Sequence, residues 1–292
     1  MGGWNFIDKT GQRFGSLVAI KYLGDRKWLC QCDCGNTTIV RSASLVNDPT
    51  PTHRGIRSCG CGHKSKLTKN QNFFEKIDSE EKAYILGMLA SDGTITDIPD
   101  CGNYTIKLVL QNKDRNILEK IKNALNTQTQ IKEFESTTKL PQGALCTSKF
   151  CSLTIHGKQL VRDIEKLGVT PAKSKTLLIN YALIPQEFKK DFWRGLIDGD
   201  GSFGIYGKKQ ILSLTITTSL AMSEATKNEI LKIFPSMKIN YYHAIGCDEN
   251  TMRLMITAQD DVYKFLSYVY ENSQIFLDRK YQDFLKIKEQ YN

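Results

Sequence analysis

The sequence predicts an α+β fold in which one unit of helices and antiparallel strands occurs twice, preceded by a small cysteine-rich module. Three observations lead to this prediction. A helical segment that ends in Asp-Gly occurs twice, strands with alternating apolar and polar residues follow each copy, and five cysteines cluster near the N-terminus. The chain has 292 residues, which is enough for two or more domains with buried cores.

The composition excludes several classes of protein. Hydrophobic residues make up 40% of the chain and aromatic residues 10%, which is too many for an intrinsically disordered protein. The longest apolar run, residues 84–90, is far shorter than the roughly 20 residues of a membrane-spanning helix, so we expect no integral membrane protein. The first residues lack the cationic start and apolar core of a secretory signal. We therefore expect a cytoplasmic protein in a reducing environment.

Positive charge and cysteine are concentrated at the N-terminus. Residues 1–66 contain ten basic and four acidic side chains and so carry +6 of the net charge of +9. The same segment contains five of the nine cysteines. Polar, turn-rich sequence follows it, which places a domain boundary near residues 62–78. We predict a separate module at 1–66, a linker at 67–78, and two halves of a repeated domain at 79–184 and 185–292.

Two Cys-x-Cys pairs in this module predict one structural zinc site, because disulfides are rare in a reducing compartment. Four thiolates satisfy the tetrahedral preference of zinc, and the bound ion would supply folding energy to a short segment. The predicted ligands are Cys32, Cys34, Cys59 and Cys61, with Cys30 as an alternative ligand. Buried structural cysteines without a metal are the other interpretation. The basic side chains of the module would add phosphate contacts, and hence affinity for nucleic acid.

The repeated helical segments are residues 84–93, YILGMLASDG, and 192–201, FWRGLIDGDG. Their last aspartates, Asp92 and Asp200, are 108 residues apart, which is the length of a small domain. Acidic and polar residues precede each apolar run, and Asp-Gly is a typical helix end. Strand, helix, strand and helix patterns then follow in the same order, at 104–111, 115–125, 150–156 and 157–167 in the first half and at 211–217, 224–234, 252–257 and 260–270 in the second.

Small or capping residues on one face of each motif helix predict that the two helices pack closely. These residues are Ala83, Gly87 and Ser91 in the first helix and Asp191, Gly195 and Gly199 in the second. Close packing would bring Asp92 and Asp200 together, where a divalent cation would offset their repulsion, and oxygen ligands favour Mg²⁺. Paired carboxylates that hold metal ions are suited to phosphodiester hydrolysis. One such motif alone is typical of a core helix, but its duplication at one spacing favours the paired site.

The segments Ile85–Gly93 and Trp193–Gly201 resemble the two signatures of single-chain LAGLIDADG homing endonucleases. The second copy is close to the consensus, whereas Ala90 replaces the first aspartate in the first copy. The resemblance implies a pseudo-two-fold duplicated αββαββα fold with two DNA-binding antiparallel sheets. It also implies a monomeric enzyme that cuts both strands of a long double-stranded DNA target. Residues 11–15, 28–36 and 58–61 are similar to small zinc-binding modules attached to phage and bacterial homing endonucleases. This similarity implies the cytoplasm of a bacterium or a phage-infected host, with an organellar matrix as the alternative.

The same resemblance implies roles for individual residues. Mg²⁺, or Mn²⁺, would be bound by the carboxylates of Asp92 and Asp200 and by the backbone carbonyls of Ser91 and Gly199. A glutamine at the end of a strand would order solvent near the metal, and two basic residues would stabilise the transition-state phosphate. The implied catalytic residues are Asp92, Asp200, Gln111, Lys173 and Lys280. The second half has Thr218-Ser219-Leu220 where a second glutamine would stand.

The polar faces of the predicted strands would lie in the major groove of DNA, where each base pair presents a distinct pattern of donors and acceptors. The predicted DNA-facing residues are Thr105, Lys107, Ser152, Thr154, Tyr206, Lys208, Ser213, Thr215, Thr217 and Arg253. Two other functions fit the same fold: an intron RNA maturase, and a sequence-specific DNA-binding regulator that does not cleave. Because a regulator has no use for two clustered acids beside phosphates, the presence of both aspartates favours the nuclease.

Overall fold

The computed structural model of the chain describes residues 6–33, 35–47, 55–60, 68–98, 103–139, 143–208 and 210–291. The chain divides into two compact units, Met1–Leu67 and Thr68–Asn292. Within the described ranges, no helix is both long and apolar enough to cross a membrane.

The first unit is built on a four-stranded antiparallel sheet with the strand order β1-β2-β3-β4. Its strands are β1 Arg13–Phe14, β2 Leu17–Gly24, β3 Lys27–Cys32 and β4 Thr37–Arg41. Alternate residues of β3, namely Trp28, Cys30 and Cys32, are buried, because successive side chains of a strand point to opposite faces. These residues form a small core with Leu17 and neighbouring apolar side chains.

The second unit contains two four-stranded antiparallel sheets and seven α-helices among its described residues. The first half comprises α1 Glu80–Asp92, β5 Gly93–Ile98, β6 Asn103–Gln111, α2 Arg115–Ala124, β7 Lys132–Lys139, β8 Leu145–His156 and α3 Lys158–Lys166. The second half comprises α4 Lys189–Asp200, β9 Gly201–Tyr206, β10 Ile211–Ser219, α5 Leu220–Ile233, β11 Ile239–His243, β12 Thr251–Ile256, α6 Gln259–Tyr270 and α7 Asp278–Tyr291. The sheets have equivalent strand orders, β5-β6-β8-β7 and β9-β10-β12-β11.

The strand register repeats with the sequence spacing of the two motifs. Gly93 pairs with Leu108 in the first sheet, and Gly201 pairs with Ile216 in the second, so both partners are displaced by 108 residues. The alternating apolar residues of the two central strands are buried, as the sequence predicts: Ile106, Leu108 and Leu110 of β6 and Leu212, Leu214 and Ile216 of β10. The α+β fold with antiparallel sheets is therefore confirmed. The sequence does not locate β7, because all eight of its residues are exposed and no face of the strand is apolar.

Residues 68–78 belong to the second unit, although the sequence analysis predicts a linker at 67–78. Phe73, Phe74 and Ile77 are buried in its hydrophobic core. The side-chain amide of Gln71 also donates to the carbonyl oxygens of Thr68 and His156, which ties the segment to the end of β8. The polar residues around these three apolar side chains suggest a linker, but burial of the apolar side chains makes the segment part of the fold.

The two motif helices, α1 and α4, pack against each other through glycine, as the sequence predicts. A Cβ atom added to Gly87 would lie 2.2 Å from the carbonyl oxygen of Phe192, and one added to Gly195 would lie 2.1 Å from that of Tyr84. Adding 108 to the residue numbers converts Gly87 to Gly195 and Tyr84 to Phe192, so each contact is the counterpart of the other. This reciprocity is the property of a two-fold interface, so the halves are related by a pseudo-two-fold axis that passes between the helices.

A buried ionic network holds the other end of this helix pair. Arg194 donates to Asp191 and Glu80 at 2.8 and 2.7 Å, and to the carbonyl oxygens of Val269 and Ile275 at 2.7 and 2.8 Å. Because each of its three nitrogens donates at least one hydrogen bond and two carboxylates balance its charge, the buried guanidinium is tolerated. Asp191 thus forms an ion pair within its own helix, whereas the sequence analysis groups it with the small residues of the helix contact.

Candidate active site

The ends of the motif helices position the two predicted metal-binding aspartates. Asp92 is the last residue of α1 and Asp200 the last residue of α4, and a strand begins at the glycine after each. A Cβ atom added to Gly199 would lie 2.5 Å from Oδ2 of Asp92 and 1.9 Å from Oγ of Ser91. The carboxylate of Asp92 therefore lies against the residue that precedes Asp200. The fold brings these two aspartates to one place, although they are far apart in the sequence.

The electrostatics of the pair reflect this proximity. Burial, followed by the negative charge of Asp92, raises the pKa of Asp200 to about 6. Burial likewise raises the pKa of Asp92 above its ordinary value. The side chain of Asp200 nevertheless reaches solvent, and that of Asp92 is half-buried. Each carboxyl group is thus partly shielded from water by protein atoms. Its remaining side is exposed to solvent, where a cation or a phosphate could approach.

Two buried lysines lie at the same helix ends. Lys173 is 8% exposed, and its Nζ donates to the carbonyl oxygen of Ser91 at 2.6 Å. Lys280 is 6% exposed, and its Nζ donates to the carbonyl oxygens of Ile197 and Gly201. Burial lowers the pKa of both lysines, that of Lys280 to about 8. Both cations satisfy C-terminal carbonyl groups of a motif helix and partly offset the charges of the aspartates.

The donors at this site fit a hard divalent cation. Carboxylate and carbonyl oxygens are the ligands that Mg²⁺ prefers, and a cation would relieve the repulsion that raises the pKa of Asp200. The carbonyl of Ser91 accepts a hydrogen bond from Lys173, which leaves one lone pair for an ion. Among the described residues no three His, Cys, Asp or Glu side chains form a group that could hold a metal. The site is thus a pair of carboxylates rather than a larger acidic cluster.

Gln111 lies at the same end of the first sheet. It is the exposed last residue of β6, three positions beyond Leu108, which pairs with the glycine after Asp92. In the second half the register places Ser219 at the equivalent position. Ser219 is buried, donates from Oγ to the carbonyl of Leu177 at 2.5 Å and caps α5. This hydroxyl is committed to the fold, so the two halves differ at this position.

Most of the predicted DNA-facing residues lie on the outward face of the sheets, opposite the helices. Thr105, Lys107, Thr154, Ser213, Thr215, Thr217 and Arg253 alternate with buried core residues and are half-buried or exposed. Tyr206 is exposed at the end of β9, and Lys208 lies in the turn that follows. Ser152 is only 5% exposed, so its prediction as a base-contacting residue is not supported by its burial. Its cross-strand partners are Val109 and Lys132, and alternation within one strand does not reveal the burial of a side chain between them.

Sequence reasoning missed Asp198, the other acid of the second motif. Its carboxylate accepts hydrogen bonds from the hydroxyl of Tyr84 at 2.8 Å, the hydroxyl of Tyr270 at 2.6 Å and the backbone N–H of Leu277 at 2.7 Å. These donors come from three different elements, so Asp198 joins both halves and is turned away from the open site. Its equivalent in the first half, Ala90, is buried and needs no such partners.

The predicted zinc ligands fall partly outside the described residues. Cys34 and Cys61 lie outside them, whereas Cys32 is buried in the core of the first unit and Cys59 packs against the same core. Cys30 is buried in the same core, and burial raises the pKa of its thiol. The described residues therefore show two of the four predicted ligands near one core.

The chain is similar to one protein family and to several solved structures. Residues 187–270 match the family model described as LAGLIDADG-like domain. No curated protein matches the chain. Among solved structures, the LAGLIDADG homing endonuclease I-GzeII in complex with its DNA target is 16% identical and has a TM-score of 0.48, with 71% of this chain and 88% of that chain covered.

Two further structures are similar at comparable levels. The homing endonuclease I-WcaI bound to its DNA recognition sequence is 12% identical, with a TM-score of 0.49 and coverage of 73% and 91%. Full-length DUF199/WhiA from Thermatoga maritima is 15% identical, with a TM-score of 0.40 and coverage of 77% and 67%. Structural similarity at this level does not assign an activity. The family match begins two residues before α4 and ends at the last residue of α6, so the similarity to the LAGLIDADG-like domain lies within the second half.

Proposed function

We propose that the chain is a site-specific DNA homing endonuclease that hydrolyses phosphodiester bonds on both strands of a long target. The observation that carries the proposal is the convergence of Asp92 and Asp200 at the ends of two reciprocally packed helices. The LAGLIDADG-like match over the second half supports it, since that half supplies Asp200. Both carboxylates come from one chain, so a monomer would contain a complete site.

In this proposal the two aspartates hold divalent cations, Mg²⁺ or Mn²⁺, with help from the backbone carbonyls of Ser91 and Gly199. Such an ion, when bound, would activate water and stabilise the attacking and leaving oxygens. Lys173 and Lys280 keep the helix ends in place and supply positive charge beside the scissile phosphate. Gln111 orients solvent from the first half alone, because Ser219 is committed to a cap. We therefore expect the two strands to be cut at unequal rates.

The outward faces of the two sheets would bind DNA. Each presents polar side chains at alternate positions of antiparallel strands, and strands of this kind can enter the major groove. The pseudo-two-fold axis would let one half contact each side of the cut. Basic side chains of the first unit would add sequence-independent phosphate contacts, so the affinity should fall as the salt concentration rises.

The direct test is cleavage of DNA by the purified full-length chain. Two substrates are used: a duplex that joins the genomic sequences flanking the reading frame, and the duplex that the protein enriches from a random-sequence library. We expect cuts in both strands with Mg²⁺ and none with EDTA. Tight binding with no cutting in Mg²⁺ or Mn²⁺ would instead indicate the DNA-binding regulator. Binding of intron RNA in preference to either duplex would indicate the maturase.

We also propose a structural zinc ion bound by Cys32, Cys34, Cys59 and Cys61. The shared core near Cys32 and Cys59 supports this, and Cys30 in the same core is the alternative ligand. Metal analysis of the purified protein should find about one zinc per chain. Cys59→Ser should lose the ion, whereas Cys247→Ser, at an exposed cysteine of the other unit, should keep it. A wild-type protein that contains no zinc would contradict the proposal.

A further inference from the structure

The outward face of the first sheet carries a stacked pair of aromatic rings. Gln111, Phe150 and Phe134 form one cross-strand row over β6, β8 and β7. The rings of Phe134 and Phe150 are 5.7 Å apart at their centroids and inclined by 22°. Cys151, the strand neighbour of Phe150, is buried in the core, so Phe150 and its cross-strand partner Phe134 point to the opposite, outward face. Phe134 remains 40% exposed, and Phe150 is half-buried.

The fold does not require aromatic residues at this position. In the second half the equivalent row begins with Ser219 and Thr251, and the outer strand β11 ends one residue short of it. The duplicated fold therefore forms with hydroxyl side chains there. A cross-strand aromatic pair stabilises a hairpin, which accounts for the pairing of the rings but not for an exposed aromatic patch on a face that is mostly polar.

The surroundings of the pair indicate what it would contact. Lys132 precedes Phe134 by two residues on the same exposed strand face, and Lys107 lies on that face of β6. A face that combines cations, hydroxyl groups and one apolar patch suits the major groove, in which the 5-methyl group of thymine is the apolar feature. Each ring also covers one face of the other, which leaves less ring surface for stacking on an unpaired base.

We propose that the Phe134–Phe150 pair reads the methyl group of a thymine in the half of the DNA target contacted by the first sheet. The second half lacks this pair, so the two half-sites would differ in their need for thymine. The inference rests on the proposed function, since it requires that the sheet faces bind duplex DNA.

The test measures binding to the duplex that the wild-type protein enriches from a random-sequence library. Each thymine is replaced in turn by deoxyuridine, which removes only the methyl group. Burial of one methyl group contributes about 0.8 kcal/mol, so we expect about fourfold weaker binding at one position or a few adjacent positions. In the Phe134→Thr variant, replacing thymine by deoxyuridine at those positions should no longer weaken binding. At all other positions the replacement should have the same effect as in the wild type.

Two further variants keep the experiment decisive. Leu145→Thr changes another apolar residue of the same hairpin, 73% exposed and on the opposite face, and should retain the wild-type sensitivity. Phe134→Leu stays apolar and should also retain it, which separates methyl contact from damage to the fold. If the wild type and Phe134→Thr bind tightly and respond equally to deoxyuridine at every thymine, this proposal is overturned. The proposed endonuclease function is then unaffected. A protein that enriches no duplex, or that needs Phe134 only for single-stranded RNA, would overturn both.

Discussion

Asp200→Asn should lower the rate of DNA cleavage by at least about 100-fold while the protein still binds its target. The substitution keeps the size of the side chain but removes one of the two carboxylates proposed to hold the divalent cation. It also removes a charge that is disfavoured by burial and by repulsion from Asp92, the two effects that raise the pKa of Asp200, so the fold should not suffer. Binding should be unchanged or tighter, because a negative charge beside the DNA phosphates is lost. Single-turnover cleavage in Mg²⁺ and a gel-shift titration measure the two effects separately.

The matched control is Asp283→Asn, which removes the same charge from an exposed aspartate of α7 that pairs with Lys286 in its own helix. It should cut like the wild type. Asp92→Asn should resemble Asp200→Asn, because the two residues occupy equivalent positions about the pseudo-two-fold axis. Cleavage by Asp200→Asn at the wild-type rate would contradict the assignment of this residue as a metal ligand.

Gly195→Ala should destabilise the second unit by at least about 3 kcal/mol, or prevent recovery of soluble protein. The new Cβ atom would lie 2.1 Å from the carbonyl oxygen of Tyr84 and 3.0 Å from Cα of Gly87. These are backbone atoms of the facing helix, so no side-chain rotation relieves the clash and the helices must separate. The gain in helix propensity from glycine to alanine, about 1 kcal/mol, is too small to offset this cost. Urea unfolding followed by circular dichroism gives the change in stability.

Asn228→Ala is the control for this prediction, because it introduces alanine at an exposed position inside helix α5. Its unfolding midpoint should equal or slightly exceed that of the wild type. Gly87→Ala should be about as damaging as Gly195→Ala, since its Cβ atom would lie 2.2 Å from the carbonyl oxygen of Phe192. If Gly195→Ala unfolds at the same urea concentration as Asn228→Ala, the close approach of the two helices is incorrect.

Much of the fold could be predicted from the sequence, because the patterns that indicate its helices and strands are local. The alternation of Ile106, Leu108 and Leu110 with polar residues predicts a half-buried strand, and these three residues are buried. The 108-residue spacing of the two motifs predicts the repeat, and the strand register reproduces it. The segment at 68–78 was missed because its few apolar residues show no regular period, and only their burial reveals that they belong to the core.

The candidate site could be predicted from the sequence only in part. The sequence predicts that Asp92 and Asp200 converge, because glycine and serine at spacings of four residues make close helix packing possible. It also marks Lys173 and Lys280, but only by resemblance, since a lone lysine carries no local signal of burial. Their hydrogen bonds to the carbonyl oxygens of the motif helices come from residues about 80 positions away. Asp198 has the same Asp-Gly context as Asp200, and nothing local distinguishes a buried acceptor from a solvent-facing carboxylate.

The sequence by itself determined the repeat, the helices that end in aspartate and the polar faces of the strands, because each depends on residues close together in the chain. Only the tertiary structure decided which acid faces solvent and which is buried between two tyrosines, where the lysines lie, and that one sheet carries an exposed aromatic pair. These outcomes depend on the register and packing of elements that lie far apart in the sequence. Register and packing set the burial, charge and hydrogen-bond partners of each side chain.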